Sequence, residues 1–271
     1  MNTLAVNQTS TLRWDFQQDV QAYAERGFDG IGLYRRKLED VGLDAAIDCL
    51  ADVSMQVTSL SWAGGFTGSD GRGFQEAVSD GMRAITEAAN VRAETLVVLA
   101  GGRNNHIRRH ARRTLCDALA RLAVVGEEFG VRLSLEPIHP GCGSEWSFVH
   151  DLDTVLDVIH RIGSPNLGIA LDTYHVGMDQ ESMALLPDVV PHLNLLQLGD
   201  GRHSPLGEMN RCLLGEGCVP LGDITQRVIE CGYEGPIEVE VLGEDVESMR
   251  YEAVLDHAAE YLKHIVQHVR S

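Results

Sequence analysis

The sequence predicts an α/β protein, a (β/α)8 TIM barrel folded as a single domain over residues 1–271, and three observations carry that prediction. Short apolar runs alternate with amphipathic segments from one end of the chain to the other, in eight strand–helix pairs. Several runs are apolar nearly throughout, as in Leu96-Val-Val-Leu-Ala100, which suits parallel strands covered on both faces. No Pro/Ser-rich linker interrupts the series. A doubly wound open sheet is the competing architecture, but no G-x-G-x-x-G turn follows the first strand.

In chain order, the strands are expected at Ser10–Trp14, Gly30–Tyr34, Gln56–Ser61, Thr95–Ala100, Arg132–Glu136, Leu167–Asp172, Leu193–Leu198 and Ile237–Val241. Between them, Leu115, Leu119, Leu122 and Val125 recur at helical spacing. Leu152, Val155, Leu156, Ile159 and Ile162 do the same, as do Val254, Ala258, Tyr261, Leu262 and Ile265. Gly27, Gly130, Gly163 and Gly232 fall just past predicted helices, where a C-terminal glycine belongs. The sixth helical segment, around Glu181–Leu186, has a weak pattern and is expected to be short.

With 44% hydrophobic and 23% charged residues the composition is that of a soluble globular protein. Its 22 basic and 40 acidic residues give a net charge of −18, which repels a polyphosphate backbone, so nucleic acid is not an expected partner. Arg108, Arg109, Arg112 and Arg113 sit at helical spacing and read as a solvated face. Six cysteines without a CxxC pair fit reduced thiols and a cytoplasmic setting. Neither an export signal nor a membrane span is read, because no apolar stretch approaches the required length.

Residues at the C-terminal ends of barrel strands converge on one mouth. Those positions hold Trp62, the segment Gly101 to His106, Glu136, Asp172 with His175, Gln197 with Asp200, and Glu240. Three carboxylates and a carboxamide from four successive strands would face one another, and like charges that close do not all stay ionised unaided. A hard divalent cation resolves the repulsion, and the oxygen-rich set suits Mn²⁺ or Mg²⁺. Singly, each residue has a plainer use. Asp172 or Asp200 can cap a helix N-terminus, and Gln197 can satisfy a backbone group. Of Glu238 and Glu240, one is expected to point outward.

The pieces LSLEPIHP (Leu133–Pro140), IALDTYHVG (Ile169–Gly177), LNLLQLGDGR (Leu193–Arg202), GEGCVPL (Gly215–Leu221) and GYEGPIEVEV (Gly232–Val241) resemble the sugar phosphate isomerase/epimerase family. These are the xylose isomerase-like TIM barrels, a group with ketose 3-epimerases, hydroxypyruvate isomerase, inosose isomerases and dehydratases, and endonuclease IV. The resemblance implies one divalent metal ion held by Glu136, Asp172, Gln197 and Glu240, with Gln197 standing where many members have histidine. It implies catalysis by Glu136 and Glu240, one removing a proton α to a carbonyl and the other returning it, through a metal-stabilised enediolate. His175 and Arg202 match positions that hold substrate oxygens in the family. Trp62, His139 and His106 are further candidates for substrate contact, whereas Phe66 reads as core.

The expected activity is that of a divalent-metal-dependent isomerase or epimerase of a small sugar or keto-polyol. A dehydratase acting on a keto-inositol or cyclic keto-acid is the alternative. An endonuclease IV-like hydrolase, which would need His175 in a multi-metal cluster, and a non-catalytic sugar-binding barrel come after it. The expected partner is a small carbohydrate, not phosphorylated, and a homo-oligomer is compatible with the sequence. Only Lys37 and Lys263 are available for Schiff-base chemistry, and neither ends a central strand convincingly. The segments Gly64–Gly73 and Asp200–Gly217 are candidate lids.

Overall fold

A computed structural model describes residues 2–207 and 209–269. Eight parallel strands close into a barrel in sequence order, with the first strand hydrogen-bonded to the last. They are β1 (Leu4–Asn7), β2 (Gly30–Tyr34), β3 (Gln56–Gly64), β4 (Thr95–Leu99), β5 (Arg132–Leu135), β6 (Leu167–Asp172), β7 (Leu193–Leu198) and β8 (Ile237–Val239). The outer ring includes helices Phe74–Asn90, Arg108–Phe129, Leu152–Ile162, Leu221–Glu230 and Tyr251–Val269. The apolar faces read from the sequence are buried, among them Leu115, Leu119 and Leu122, and Leu152, Val155 and Ile159. Gly130 and Gly163 take left-handed conformations just past their helices. No helix among the described residues is long and apolar enough to cross a membrane.

Seven of the eight strand positions agree with the sequence expectation to within a few residues at their ends. The first does not. Ser10–Trp14 is no strand: β1 lies earlier, and Gln8–Thr11 form a 3₁₀ turn. Asn7 ends β1 by accepting a hydrogen bond from the Thr9 backbone N–H at 3.0 Å. The hydroxyls that looked like strand residues are buried for other reasons. Thr11 donates to Asp19 at 2.7 Å, and Ser10 accepts from the Val241 N–H at 3.0 Å. The weak sixth helical segment is indeed broken into short pieces, Thr173–Val176, Gln180–Ala184 and Leu186–Val189, before the turn Val190–His192.

Glu238 is the second correction. Residues two apart on a strand share a face, so Glu238 and Glu240 both point into the barrel, and Glu238 is fully buried there. It has room because β2 carries Gly32 opposite, where an added Cβ would lie 2.5 Å from the Glu238 carboxylate. Gly32→Ala is therefore expected to cost about 1–3 kcal/mol by overpacking. The check is a lowered urea midpoint at unchanged slope.

Candidate active site

A cavity of about 190 Å³ opens at the C-terminal ends of the strands, as barrel architecture requires. Glu136, His175, Gln197, Arg211 and Glu240 supply its polar lining, and Trp62, Trp146, Leu99, Ile138 and Met209 its apolar wall. That volume is below the range of about 300–1,000 Å³ typical of drug-sized ligand sites, so it suits one small molecule. Trp62 stacks on Tyr34 with ring centroids 5.6 Å apart and meets Trp146 edge-on at 5.4 Å, which fixes the wall.

Strand register assembles the polar groups. Asp172 on β6 is level with Gln197 on β7, and Gln197 is level with Glu238 on β8. Glu136 follows β5 directly and Glu240 follows β8. Asp172 does both jobs weighed for it. Its Oδ1 caps the short helix Thr173–Val176 by accepting from the Tyr174 N–H at 2.8 Å. Its Oδ2 faces the cluster and pairs with the Arg211 guanidinium at 2.8 Å.

Donor atoms of Glu136, Asp172 and His175 lie within 4.8 Å of one another, a grouping able to hold a metal ion. Glu240 stands beside them, accepting from Gln197 Nε2 at 2.8 Å and from Thr9 Oγ1 at 3.0 Å. Burial, then the neighbouring Glu240 and Asp172 charges, pushes the Glu136 carboxyl well above its ordinary range. Burial also raises Asp172 and Glu240, against the pull of Arg211 on each. Gln197 Oε1 is buried and has no hydrogen-bond partner. Three buried carboxyls around one guanidinium, with the Gln197 oxygen unused beside them, fit a hard divalent cation.

His175 is the one nitrogen-bearing member of this grouping. Burial, then Arg211, holds its ring well below the ordinary histidine range, so it is neutral at pH 7. Its Nδ1 accepts from the His139 backbone N–H at 3.4 Å, which assigns the proton to Nε2. That Nε2 sits 3.8 Å from both Glu136 Oε1 and Asp172 Oδ2, and the ring must take the other tautomer for it to ligate a metal in the grouping.

Other expected positions fall differently. Arg202, expected to hold substrate oxygens, is instead an exposed loop residue 3.4 Å from Glu216 and 3.7 Å from Asp245. The arginine in the cluster is Arg211, which sequence reasoning passed over. It is 2% exposed, lies 4.7 Å over the Tyr174 ring and donates to the Glu240 carbonyl at 2.7 Å. Charge arithmetic was the available signal, because buried carboxylates need a buried cation and the loop after β7 carries two arginines.

His106 binds the Thr67 carbonyl at 3.2 Å and packs on His110, off the mouth cavity. The His139 side chain lines a neighbouring cavity of about 420 Å³, which His175 also lines, and bonds Gly141 and Ser204, while its backbone N–H meets His175. Trp62 lines the mouth as expected, and Phe66 is core. Asp200 is fully buried and accepts N–H groups of Gly201, Gly215, Gly217 and Val219. It therefore ties down the second candidate lid. The first is fastened by Arg72, which reaches Asp70, Asp80 and the Gly64 carbonyl.

The family model for the xylose isomerase-like TIM barrel matches residues 20–265. An inosose isomerase of Halalkalibacterium halodurans is 23% identical over 251 residues, covering 88% of this chain and 87% of the relative. A ketose 3-epimerase of Arthrobacter globiformis is 28% identical over 130 residues, 48% of this chain and 41% of the relative. A 3-dehydroshikimate dehydratase of Pseudomonas aeruginosa is 24% identical over 261 residues, 87% of this chain but 37% of that larger protein. Among solved structures, a protein of Sinorhizobium meliloti 1021 superposes with a TM-score of 0.89 at 25% identity, over 97% of this chain and 98% of that one. The IolI protein, solved with a bound zinc atom, superposes with a TM-score of 0.86 at 18% identity, over 98% and 99%. With the closed barrel and the family match over most of its length, the chain belongs to the xylose isomerase-like TIM barrel family.

Proposed function

We propose that the protein is a divalent-metal-dependent isomerase or epimerase of a small sugar or keto-polyol, acting by proton abstraction α to a carbonyl. The observation that carries this reading is the placement of Glu136 and Glu240 on one small cavity, with Asp172 paired to Arg211 beside them and Gln197 presenting an unused acceptor oxygen. Relatives named inosose isomerase and ketose 3-epimerase support it. Glu136, Asp172, Gln197 and Glu240 would hold the cation. The all-oxygen donor set favours Mn²⁺ or Mg²⁺ over zinc. When bound, the cation supplies Lewis-acid polarisation of the substrate carbonyl.

The chain's own groups do the rest. One of the two glutamates takes the α-proton on a carboxylate oxygen and the other delivers a proton, to the same carbon for epimerisation or to its neighbour for isomerisation. The neutral His175 donates its Nε2–H to a substrate oxygen, where negative charge develops as the proton leaves. Arg211 keeps Asp172 and Glu240 charge-compensated and presents its guanidinium to the cavity. Trp62 and Trp146 exclude water on the apolar side.

A dehydratase on a cyclic keto-acid starts from the same proton abstraction, and the dehydratase relative keeps that reading in play. Incubating a panel of ketoses, inososes and hydroxypyruvate with enzyme and Mn²⁺ in D₂O, then chelating the metal before NMR, separates them. Deuterium α to the carbonyl without loss of water is the expected result. Water loss favours the dehydratase. Absence of exchange on every substrate with metal bound sinks the proposal.

A further inference from the structure

The mouth chemistry leaves one barrel carboxylate without a role: Glu238, which is fully buried beneath Glu240. We propose that Glu238 is a positioning residue that turns the carboxamide of Gln197 so that its oxygen is offered to the metal site. The inference rests on the metal-site reading above.

The orientation follows from a chain of hydrogen bonds that begins at a donor of fixed polarity. The Thr9 backbone N–H can only donate, and it donates to Asn7 Oδ1 at 3.0 Å. Asn7 Nδ2 must then face the other way, toward Glu238 Oε1 at 2.7 Å. That oxygen also faces the Gln197 carboxamide, at 3.1 Å, and the amide group that meets it is Nε2. The same Nε2 reaches Glu240 Oε2 at 2.8 Å, so both of its protons are used. The opposite rotation would set Oε1 against two carboxylate oxygens. Oε1 is left as a buried acceptor without a partner on a side chain that lines the mouth cavity.

Glu238 is itself held from the far side. Thr58 and Ser59 donate to its Oε2 at 2.7 and 2.9 Å, and Gly32 leaves space for the carboxylate. The relay runs across adjoining strands because Gln197 and Glu238 share a register position. It gives a physical reason for glutamine on β7. A carboxamide can donate to two acidic neighbours and still keep one oxygen for a cation.

The test is Mn²⁺ affinity, measured by titration calorimetry and by electron paramagnetic resonance of free ion, on protein shown to be folded by circular dichroism. Glu238→Met removes the acceptor and is expected to raise the Mn²⁺ Kd by about 10–100-fold, the usual effect of losing a residue that orients a ligand. Glu238→Gln can keep Oε1 toward Asn7 and Gln197 while its NH₂ donates to the Thr58 and Ser59 hydroxyls. Its Kd is expected within about twofold of wild type, since the relay needs an acceptor rather than a charge. If the methionine variant does not fold, Asn7→Asp takes its place. It keeps the cap on Thr9 but sets an oxygen against Glu238 Oε1, and a Kd at least about tenfold higher is expected.

A folded Glu238→Met or Asn7→Asp protein with wild-type affinity overturns the relay. So does Glu238→Gln losing as much affinity as Glu238→Met, because charge rather than orientation would then be the cause. Wild-type protein that binds no divalent cation overturns the metal-site reading, and the relay with it.

Discussion

Glu136→Gln and Glu240→Gln are each expected to lower kcat by about 10²–10⁴-fold, the range for losing a positioned general acid or base. Glutamine preserves the size of the side chain and an acceptor oxygen for a cation, and it cannot take a proton. Loss of turnover should therefore exceed loss of metal affinity. The two variants should also differ from each other in D₂O. The one lacking the base loses both turnover and exchange of the substrate α-proton. The one lacking the partner that delivers the second proton still exchanges the α-proton without completing epimerisation. Steady-state kinetics and NMR on the same samples decide the order of action. Either variant turning over at the wild-type rate with metal bound would remove that glutamate from the mechanism. Wild-type protein that binds metal and sugar without turnover would instead mark a binding barrel.

Arg211→Met should be the most destabilising single change at the mouth. The guanidinium is 2% exposed, and it stands 2.8 Å from Asp172 and 3.8 Å from Glu240. Its removal leaves buried carboxylates with no cation from the chain, a loss of about 3–5 kcal/mol for breaking a buried pair. Part of that loss should return with a divalent cation, because ligand at about 100 times its Kd contributes ~2.7 kcal/mol by mass action. The variant's urea midpoint should therefore depend on Mn²⁺ more steeply than the wild type's. Arg211→Lys is not expected to restore the metal-free protein. A single ammonium cannot reach both Asp172 and the Glu240 carbonyl as the planar fork does. A metal-free Arg211→Met protein as stable as wild type would show that the carboxyls carry protons and need no cation.

Much of the fold was legible because its signals are local. The run Leu96–Ala100 and the faces marked by Leu115 and Leu152 announce strand and helix within a few residues, and all are buried as read except Val125 and Ile162, which are partly buried. Asp172 was legible for the same reason, as an acid ending an apolar run. The β1 error came from composition. Ser10 and Thr11 bury hydroxyls against Val241 and Asp19, partners far along the chain or on another element, and their β-branched and polar character imitated a strand. Glu238 was legible in principle, since period two puts it on the face of Glu240, but only the barrel shows four donors waiting for it. Arg202 and Arg211 share one loop, and nothing local separates an arginine that turns to solvent from one that turns inward.

The sequence by itself determined that strands alternate with helices and that acids end β5, β6 and β8, because hydrophobic period and strand ends are written in neighbouring residues. Tertiary structure alone decided which arginine neutralises those acids, which way the Gln197 amide faces and that the His175 ring stands against Glu136 and Asp172, because each depends on partners from distant strands brought level by barrel closure.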